Sequence, residues 1–249
     1  MSFEIPLFPL SVVLFPGMQL PLHIFEPRYR LMAERALAGD STFGVALLVE
    51  GHEGQPDTVP AEVGCSTEIT EATRLPDGRI NLMTVGRRRF RVLSTRRQDG
   101  YLIGSCEWLD DQHAQAQRTQ AEGAQAEGAQ AEGLQREPAT ALARRVRMLL
   151  GTYLASLARN ANLSPRDLDA LDVPRDPLQL SMWVASIITL PNEQKQKLLE
   201  LSSTQARLQA EQEFLLRGEI VQKAYARRGR QPQDEGDEDG PFARFVSIN

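Results

Sequence analysis

The sequence predicts an α+β protein in which mostly antiparallel β structure with one helix is followed by an α-helical bundle. Residues 1–112 contain short alternating apolar segments separated by prolines and Asp-Gly pairs, a pattern typical of strands and turns. Residues 138–228 instead place apolar side chains three and four residues apart, as amphipathic helices do. These two parts are predicted to be separate domains, with residues 113–137 as the linker between them.

The N-terminal segment is expected to form short strands and turns, because its prolines recur too closely for a helix. They are Pro6, Pro9, Pro16 and Pro21. From Leu20 to Ile24 every second residue is Leu or Ile. This alternation predicts an edge-like strand with two different faces.

One amphipathic helix is predicted between Pro27 and Gly39. Proline suits the first helical position because its missing N–H would have no partner there, and glycine supplies the left-handed stop. The apolar residues between them follow the spacing i, i+3, i+4, i+7 and i+8, which predicts one buried face.

Two Asp-Gly pairs, Asp77-Gly78 and Asp99-Gly100, are expected to connect successive antiparallel strands. Together with the neighbouring apolar segments they predict an antiparallel meander. Its strands are predicted at Phe43–Val49, Val63–Ile69, Ile80–Met83, Phe90–Leu93 and Tyr101–Leu109.

Two polar segments are expected to lie outside the packed domains. The linker at residues 113–137 repeats the triplet Ala-Glu-Gly at a period of five residues. Five residues advance a helix by roughly 140°, so the alanines would not form one buried stripe. The acidic tail at residues 229–249 is too polar to bury a core and is expected to be disordered.

The helical bundle is expected to have one helix at its centre. Asp176 is placed to cap a helix that opens at Pro177, and the residues that follow are apolar nearly all round. Pro191 ends this segment, and a long final helix is predicted to run to about Arg228.

The composition indicates an ordinary globular protein, with 41% hydrophobic and 24% charged residues. A net charge of -5 gives no general attraction to nucleic acid. Cys65 and Cys106 lack the paired spacing of a zinc site and are expected to be free, buried thiols. No cofactor, metal or membrane partner is expected, and the lack of a signal sequence or a long apolar run predicts a cytoplasmic protein.

Four segments carry a resemblance to a known family. The longest is IPLFPLSVVLFPGMQLPLHIFEPRYRLM at residues 5–32; the others are DGR at 77–79, GRRRFRVL at 86–93 and residues 176–200. Together they resemble the substrate-binding (N-terminal) domain of Lon proteases. The resemblance implies a PUA-like, mostly antiparallel β-barrel with one helix, followed by a C-terminal α-helical bundle. It also implies binding of unfolded or tagged polypeptides, as an adaptor or chaperone-like module, with a full-length Lon protease as a candidate partner.

The residues themselves predict a stand-alone family member without enzymatic activity. A phosphate-binding loop needs a Gly-Lys pair, and the chain contains none. A Ser-Lys peptidase needs a desolvated lysine, whereas Lys195, Lys197 and Lys223 lie on predicted amphipathic helices and are expected to be solvated. His23 and Glu26 have no further histidine or nucleophile placed with them, so no catalytic residue is predicted.

The candidate polypeptide-binding residues are Leu14, Phe15, Pro16 and Met18, which form an apolar loop bounded by prolines. Two interpretations are open. An exposed apolar loop would bind non-native protein, and methionine adapts to varied partners. Alternatively, the loop closes the end of the barrel.

The arginine run gives the alternative function, an RNA-binding protein of PUA-like fold. Strand alternation would place Arg87, Arg89 and Arg91 on one face and Arg88 on the other. Because acidic residues outnumber basic ones, the preferred interpretation is a solvated face that pairs with carboxylates, and nucleic acid is not the expected partner.

Overall fold

The predicted linker and tail fall outside the part of the chain that can be described. The computed structural model describes residues 2–51, 58–111, 139–160 and 171–228, with 159–160 and 219–228 by their backbone only. The predictions for residues 113–137 and 229–249 therefore concern residues outside these ranges.

The chain divides into two compact units, which are described separately. Of the described residues, the first unit comprises those up to Asp110 together with Ala185–Ser202, and the second comprises Asp111 and residues 139–160, 171–184 and 203–228. This differs from the predicted division in two respects: Ala185–Ser202, expected in the helical bundle, belongs with the strands, and Asp111, expected in the β domain, belongs with the helices.

Six strands among the described residues form one mixed sheet in the first unit. They are β1 Ser2–Leu10, β2 Gln19–Ile24, β3 Thr42–Glu50, β4 Val59–Arg74, β5 Ile80–Gln98 and β6 Tyr101–Trp108. The order is β2-β5-β4-β3-β1-β6, and a further β5–β6 pairing joins the sheet back on itself. Every pairing is antiparallel except β1–β3. The predicted α+β class is confirmed, and the sheet is compatible with a barrel although β2 lies outside the closed ring.

The predicted edge strand and the first helix are both present, but the expected left-handed stop is wrong, because Gly39 has φ -109°. β2 alternates exposed and buried residues, and in the described sheet it pairs with β5. Helix α1, Pro27–Ala38, buries the predicted apolar face, which it packs into the main core of the unit. The buried residues of this face are Tyr29, Met32, Ala33 and Ala36.

Both Asp-Gly turns are confirmed. Gln98 pairs with Tyr101, and Asp99 and Gly100 between them have φ angles of 50° and 87°, the left-handed values that a two-residue hairpin requires. Gly78, with φ 84°, lies in the turn between β4 and β5. The strands extend further than predicted, and the two segments predicted on either side of Gly86 form the single strand β5.

The helix at Asn192–Glu200 belongs to the first unit because its polar side chains bond to the backbone of that unit. Asn192 donates a 2.7 Å hydrogen bond to the Ser11 carbonyl, and Gln196 donates a 3.0 Å bond to the Val63 carbonyl. Side-chain contacts of this kind are not encoded by hydrophobic periodicity, which is why periodicity alone places the segment in the bundle.

The second unit contains the described helices α2, Ala139–Asn160, and α5, Thr204–Arg228, together with the start of α3, Pro177–Ile187. The helix at Asn192–Glu200, which belongs to the first unit, lies between α3 and α5 in the chain and is named α4. Asp176 caps α3 as predicted, because its carboxylate accepts a 2.9 Å hydrogen bond from the Gln179 N–H. None of the helices in the described ranges has the length and hydropathy that crossing a bilayer requires.

Candidate functional site

A groove with a volume of about 410 Å³ lies in the first unit where β1, α1 and β6 meet. We call it the aromatic groove and define it by Phe3, Ile5, Arg35, Asp40, Tyr101 and Trp108. The antiparallel pairing of β1 with β6 brings the start of the chain beside the end of the last strand. This pairing places Phe3 next to Trp108.

The exposed end of the aromatic groove is a stacked pair of rings. The Phe3 and Trp108 centroids lie 4.0 Å apart with an interplanar angle of 20°, and Trp108 is 38% exposed. The Arg88 guanidinium lies 4.7 Å from the centre of the Trp108 ring and is held by three hydrogen bonds to Asp110, at 2.8, 3.0 and 3.3 Å. The indole is therefore fixed in place while part of it faces solvent.

Arg35 also lines the groove and is held by two partners. This arginine donates a 2.8 Å hydrogen bond to the Tyr101 hydroxyl and pairs with Asp99 at 2.5 Å. Both contacts favour the charged guanidinium, so the pKa of Arg35 is raised, with the Asp99 bond as the larger cause. Tyr101 is buried, and its hydroxyl has the partner that a buried phenol needs.

Two acidic side chains, Glu4 and Asp40, also line the groove, and each accepts a hydrogen bond. Arg96 bonds to Glu4 at 2.9 Å and lowers the pKa of that carboxyl group. The Asp40 carboxylate accepts a 3.0 Å hydrogen bond from the Thr42 N–H. The groove thus combines an apolar wall with a saturated polar rim, which suits the burial of an apolar side chain.

The described residues give little evidence of a metal site or of a reactive cysteine. They contain no group of three His, Cys, Asp or Glu residues placed to hold a metal ion. Cys65 and Cys106 are buried free thiols, as predicted, and burial raises the pKa of each to about 12. At neutral pH both thiols are protonated and therefore poor nucleophiles.

The two residues His23 and Glu26 have separate partners. His23 contacts the Asn81 side chain at 2.6 Å through Nδ1 and Arg79 at 3.2 Å through Nε2. Glu26 pairs with Arg28 at 2.6 Å. Among the residues that the structure describes, these hydrogen bonds and ion pairs connect neither residue to a nucleophile.

One lysine differs from its predicted environment. Lys195, expected to be solvated, is partly buried, and its ammonium donates a 2.9 Å hydrogen bond to the Ser186 carbonyl. Burial lowers the pKa of Lys195. The prediction is wrong because helical periodicity does not report how α4 packs.

The apolar loop at Leu14–Met18 is largely core. Leu14 and Phe15 are 1% and 0% exposed, so the expectation that these two side chains face solvent is wrong. Pro16 and Gly17 form a tight turn in which Met18 N–H bonds to the Phe15 carbonyl at 3.0 Å, with Gly17 at φ 83°. Only Pro16 and Met18 of the four predicted binding residues keep partial exposure.

The arginine run does not follow simple alternation. Thr67 of β4 lies opposite Gly86, but Cys65 lies opposite Arg89, so β5 has one extra residue at this point. The Ser66 hydroxyl spans the resulting bulge, since it accepts from Arg88 N–H and donates to the Arg88 carbonyl, both at 3.1 Å.

Because of the bulge, Arg87 and Arg89, two of the three predicted nucleic-acid contacts, lie in different surroundings. Arg87 is exposed and pairs with Glu68 at 2.7 Å. Arg89 is 2% exposed and donates to the carbonyls of Leu199 and Leu201 at 2.6 and 2.7 Å. The prediction of one solvated face is therefore wrong for Arg89. This β5 residue has a structural role, because it binds backbone carbonyls at the end of α4.

Comparison with protein families covers most of the chain. A family model for the ATP-dependent protease La (LON) substrate-binding domain matches residues 4–217. The chain belongs to this family.

Full Lon proteases are the relatives found by sequence. The chain is 29% identical over 208 residues to the Lon protease of Xanthomonas oryzae pv. oryzae, covering 83% of this chain and 22% of that protein. It is 24% identical over 208 residues to the Lon protease of Escherichia coli K12, covering 83% of this chain and 24% of the relative. The chain thus spans about a quarter of the length of these Lon proteases.

Solved Lon N-terminal domains have the same fold. A crystal structure of a Lon N-terminal domain protein from Xanthomonas campestris matches with a TM-score of 0.55 at 24% identity, covering 83% of this chain and 95% of that one. The N-terminal domain of a Lon protease from the Mycobacterium avium complex matches with a TM-score of 0.57 at 20% identity, covering 86% and 98%. The resemblance proposed from the sequence is confirmed.

Sequence reasoning missed the aromatic groove of this Lon-family domain. Phe3 and Trp108 lie at opposite ends of the β region, and no local pattern indicates that their strands pair. One available signal was Trp108 itself, a large aromatic residue at the end of a predicted strand and beside the acidic residues Asp110 and Asp111.

Proposed function

We propose that this chain binds unfolded or tagged polypeptides and that the aromatic groove is the contact surface. Membership of the Lon substrate-binding family supports recognition of polypeptide substrates. The observation that carries the choice of surface is the stacked Phe3–Trp108 pair at the open end of a 410 Å³ groove.

The chemistry of the groove favours an apolar side chain on an extended chain. Tryptophan, tyrosine and arginine dominate the binding energy of protein interfaces, and the groove contains one of each: Trp108, Tyr101 and Arg35. Its volume lies within the roughly 300–1,000 Å³ typical of ligand pockets. Since Arg35 and Glu4 are already paired with opposite charges, binding would depend mainly on the apolar contact.

Pro16 and Met18 remain a second predicted contact for polypeptide. Both are partly exposed, and a thioether adapts to side chains of different shape. Leu14 and Phe15 would act indirectly, because their burial holds the turn that presents these two residues.

The proposed role is non-catalytic. The family that matches is a substrate-binding domain, and the relatives extend well beyond the region they share with this chain. The domain would hold a client as an adaptor or chaperone-like module. A full-length Lon protease is the proposed partner that would receive the client.

The test is the affinity of the purified chain for a labelled, reduced and unfolded model protein, measured by fluorescence anisotropy. Trp108→Ala should weaken binding about ten-fold or more, because truncation of a central interface tryptophan costs on the order of 2 kcal/mol. The matched control is Phe25→Ala, which removes an aromatic ring that is 59% exposed and is not part of the groove lining. Equal loss in both variants, or no loss in Trp108→Ala, would rule out the groove as the contact surface.

The RNA-binding alternative is tested in the same assay with single-stranded RNA as the labelled probe. Arg87, Arg88 and Arg91 each have a carboxylate within 4 Å, so phosphate would have to compete with existing ion pairs. We expect no tight binding of RNA. Tight binding that weakens steeply with salt and is lost in Arg87→Gln would instead support the alternative.

A further inference from the structure

A second cleft in the first unit lies against helix α4. We call it the α4 cleft and define it by Val49, Ala61, Glu62, Arg91, Gln196 and Glu200; its volume is about 300 Å³. Its strand residues come from β3, β4 and β5. The apolar part is accessible, because Val49 is 59% exposed.

Gln196, which lines this cleft, has a buried side-chain acceptor. Its side-chain N–H groups donate to the Val63 carbonyl at 3.0 Å and to the Glu200 carboxylate at 2.9 Å, and these two bonds fix which end of the amide is oxygen. The residue is 6% exposed, and its Oε1 accepts no hydrogen bond. An acceptor of this kind favours a ligand that donates hydrogen bonds.

The charges around the cleft favour a cation. Glu62 and Glu200 both line it, and both are exposed. Arg91 is the opposing charge, but it lies 3.8 Å from Glu62 and 3.9 Å from Glu107, so two carboxylates already surround it. The lining therefore has an excess of negative charge.

We propose that the α4 cleft binds a lysine or arginine side chain of the client polypeptide. This inference rests on the proposed function. The aliphatic stem of the basic residue would lie against Val49 and Ala61, while its charged end would donate hydrogen bonds to Glu62, Glu200 and Gln196. The domain would then select clients in which basic residues accompany apolar ones.

The experiment compares two labelled extended peptides that differ at one position. Both are apolar and otherwise uncharged; one has a central lysine and the other has norleucine there. The wild-type chain should bind the lysine peptide about three- to ten-fold more tightly, the size expected for one or two partly exposed ion pairs. This preference should shrink as salt is raised.

The decisive variant is Glu62→Gln combined with Glu200→Gln. It removes both charges and keeps an acceptor for Gln196, so the fold should be retained and the lysine preference should disappear. Glu71→Gln is the matched control, because Glu71 is an exposed carboxylate of β4 that does not line the cleft, and it should leave the preference unchanged. Arg91→Gln should strengthen the preference, since it removes the opposing charge.

The outcomes separate this inference from the proposed function. Equal binding of both peptides by the wild-type chain would overturn the lysine site and leave polypeptide binding intact. A lysine preference that survives in the double variant would also overturn it. Failure to bind either peptide would overturn the proposed function and this inference together.

Discussion

Arg207, whose side chain is fully buried in the second unit, donates a 2.8 Å hydrogen bond to the carboxylate of Asp111. Its Nε also donates to the Ser181 hydroxyl at 3.0 Å, and Thr204 donates to the same carboxylate at 3.2 Å. A buried ion pair of this kind depends on each member, because either charge left without the other would be desolvated and uncompensated.

We predict that Asp111→Ala destabilises the second unit by about 3–5 kcal/mol, since it leaves the Arg207 guanidinium buried without its counter-ion. Trp183 belongs to this unit and Trp108 to the other, so urea unfolding followed by fluorescence in a Trp108→Phe background reports the second unit. Glu213→Ala breaks an exposed pair with Arg217 and should cost less than about 1 kcal/mol. If Asp111→Ala lowers the free energy of unfolding no more than Glu213→Ala does, the prediction is contradicted.

A second prediction concerns Glu211, one helical turn after Arg207. Its carboxylate is buried and accepts no hydrogen bond; burial raises its pKa well above the usual range, and the Arg207 charge opposes that shift. The folded state therefore holds a proton that the unfolded chain releases near pH ~4.3. The unfolding free energy should fall as pH rises from there through the raised pKa, because the unfolded state then binds fewer protons.

Glu211→Gln tests the direction of this pH dependence, because glutamine resembles the protonated acid and does not titrate. We expect the variant to become more stable than the wild-type chain as pH rises, with the same Trp183 readout. A parallel pH dependence in both proteins would mean that Glu211 is not the group responsible.

Local sequence patterns are sufficient for much of the fold. Helix α1 is predictable because Pro27 at its start and its apolar spacing agree, and the Asp99-Gly100 hairpin because its φ angles require those residue types. The position of Arg89 could not be predicted in this way. A bulge changes its register, and its partners at Leu199 and Leu201 lie far away in the sequence.

The candidate site is harder to predict than the fold. The loop at Leu14–Met18 has the composition of an exposed binding patch, but composition does not distinguish a surface loop from one that is packed into the core. The aromatic groove depends on long-range pairing of β1 with β6, which no pattern within either strand reveals. The wrong interpretation of the loop and the missed groove have the same cause, because tertiary contacts determine which side chains are exposed.

A third prediction follows from the burial of Phe15. Phe15→Ser should destabilise the first unit by about 3–5 kcal/mol, because it removes a fully buried ring. Met18→Ser should cost clearly less, since Met18 is partly exposed. Urea unfolding in a Trp183→Phe background, where Trp108 reports the first unit, measures both. Comparable stability of Phe15→Ser and the wild-type chain would show that this ring is not part of the core.

The last prediction compares two glycines. A Cβ on Gly86 would lie 2.2 Å from the Phe15 carbonyl oxygen and 3.0 Å from its carbon, and both are backbone atoms that cannot move without displacing the turn at Pro16. Gly86→Ala should therefore destabilise the first unit. A Cβ on Gly151, in helix α2, would meet no atom within 4 Å, so Gly151→Ala should stabilise the second unit by about 0.5–1 kcal/mol through its higher helix propensity. The two substitutions add the same methyl group, and unfolding curves should shift in opposite directions. If the unfolding curves of both variants shift in the same direction, the close approach of Phe15 to Gly86 does not limit the size of the side chain at position 86.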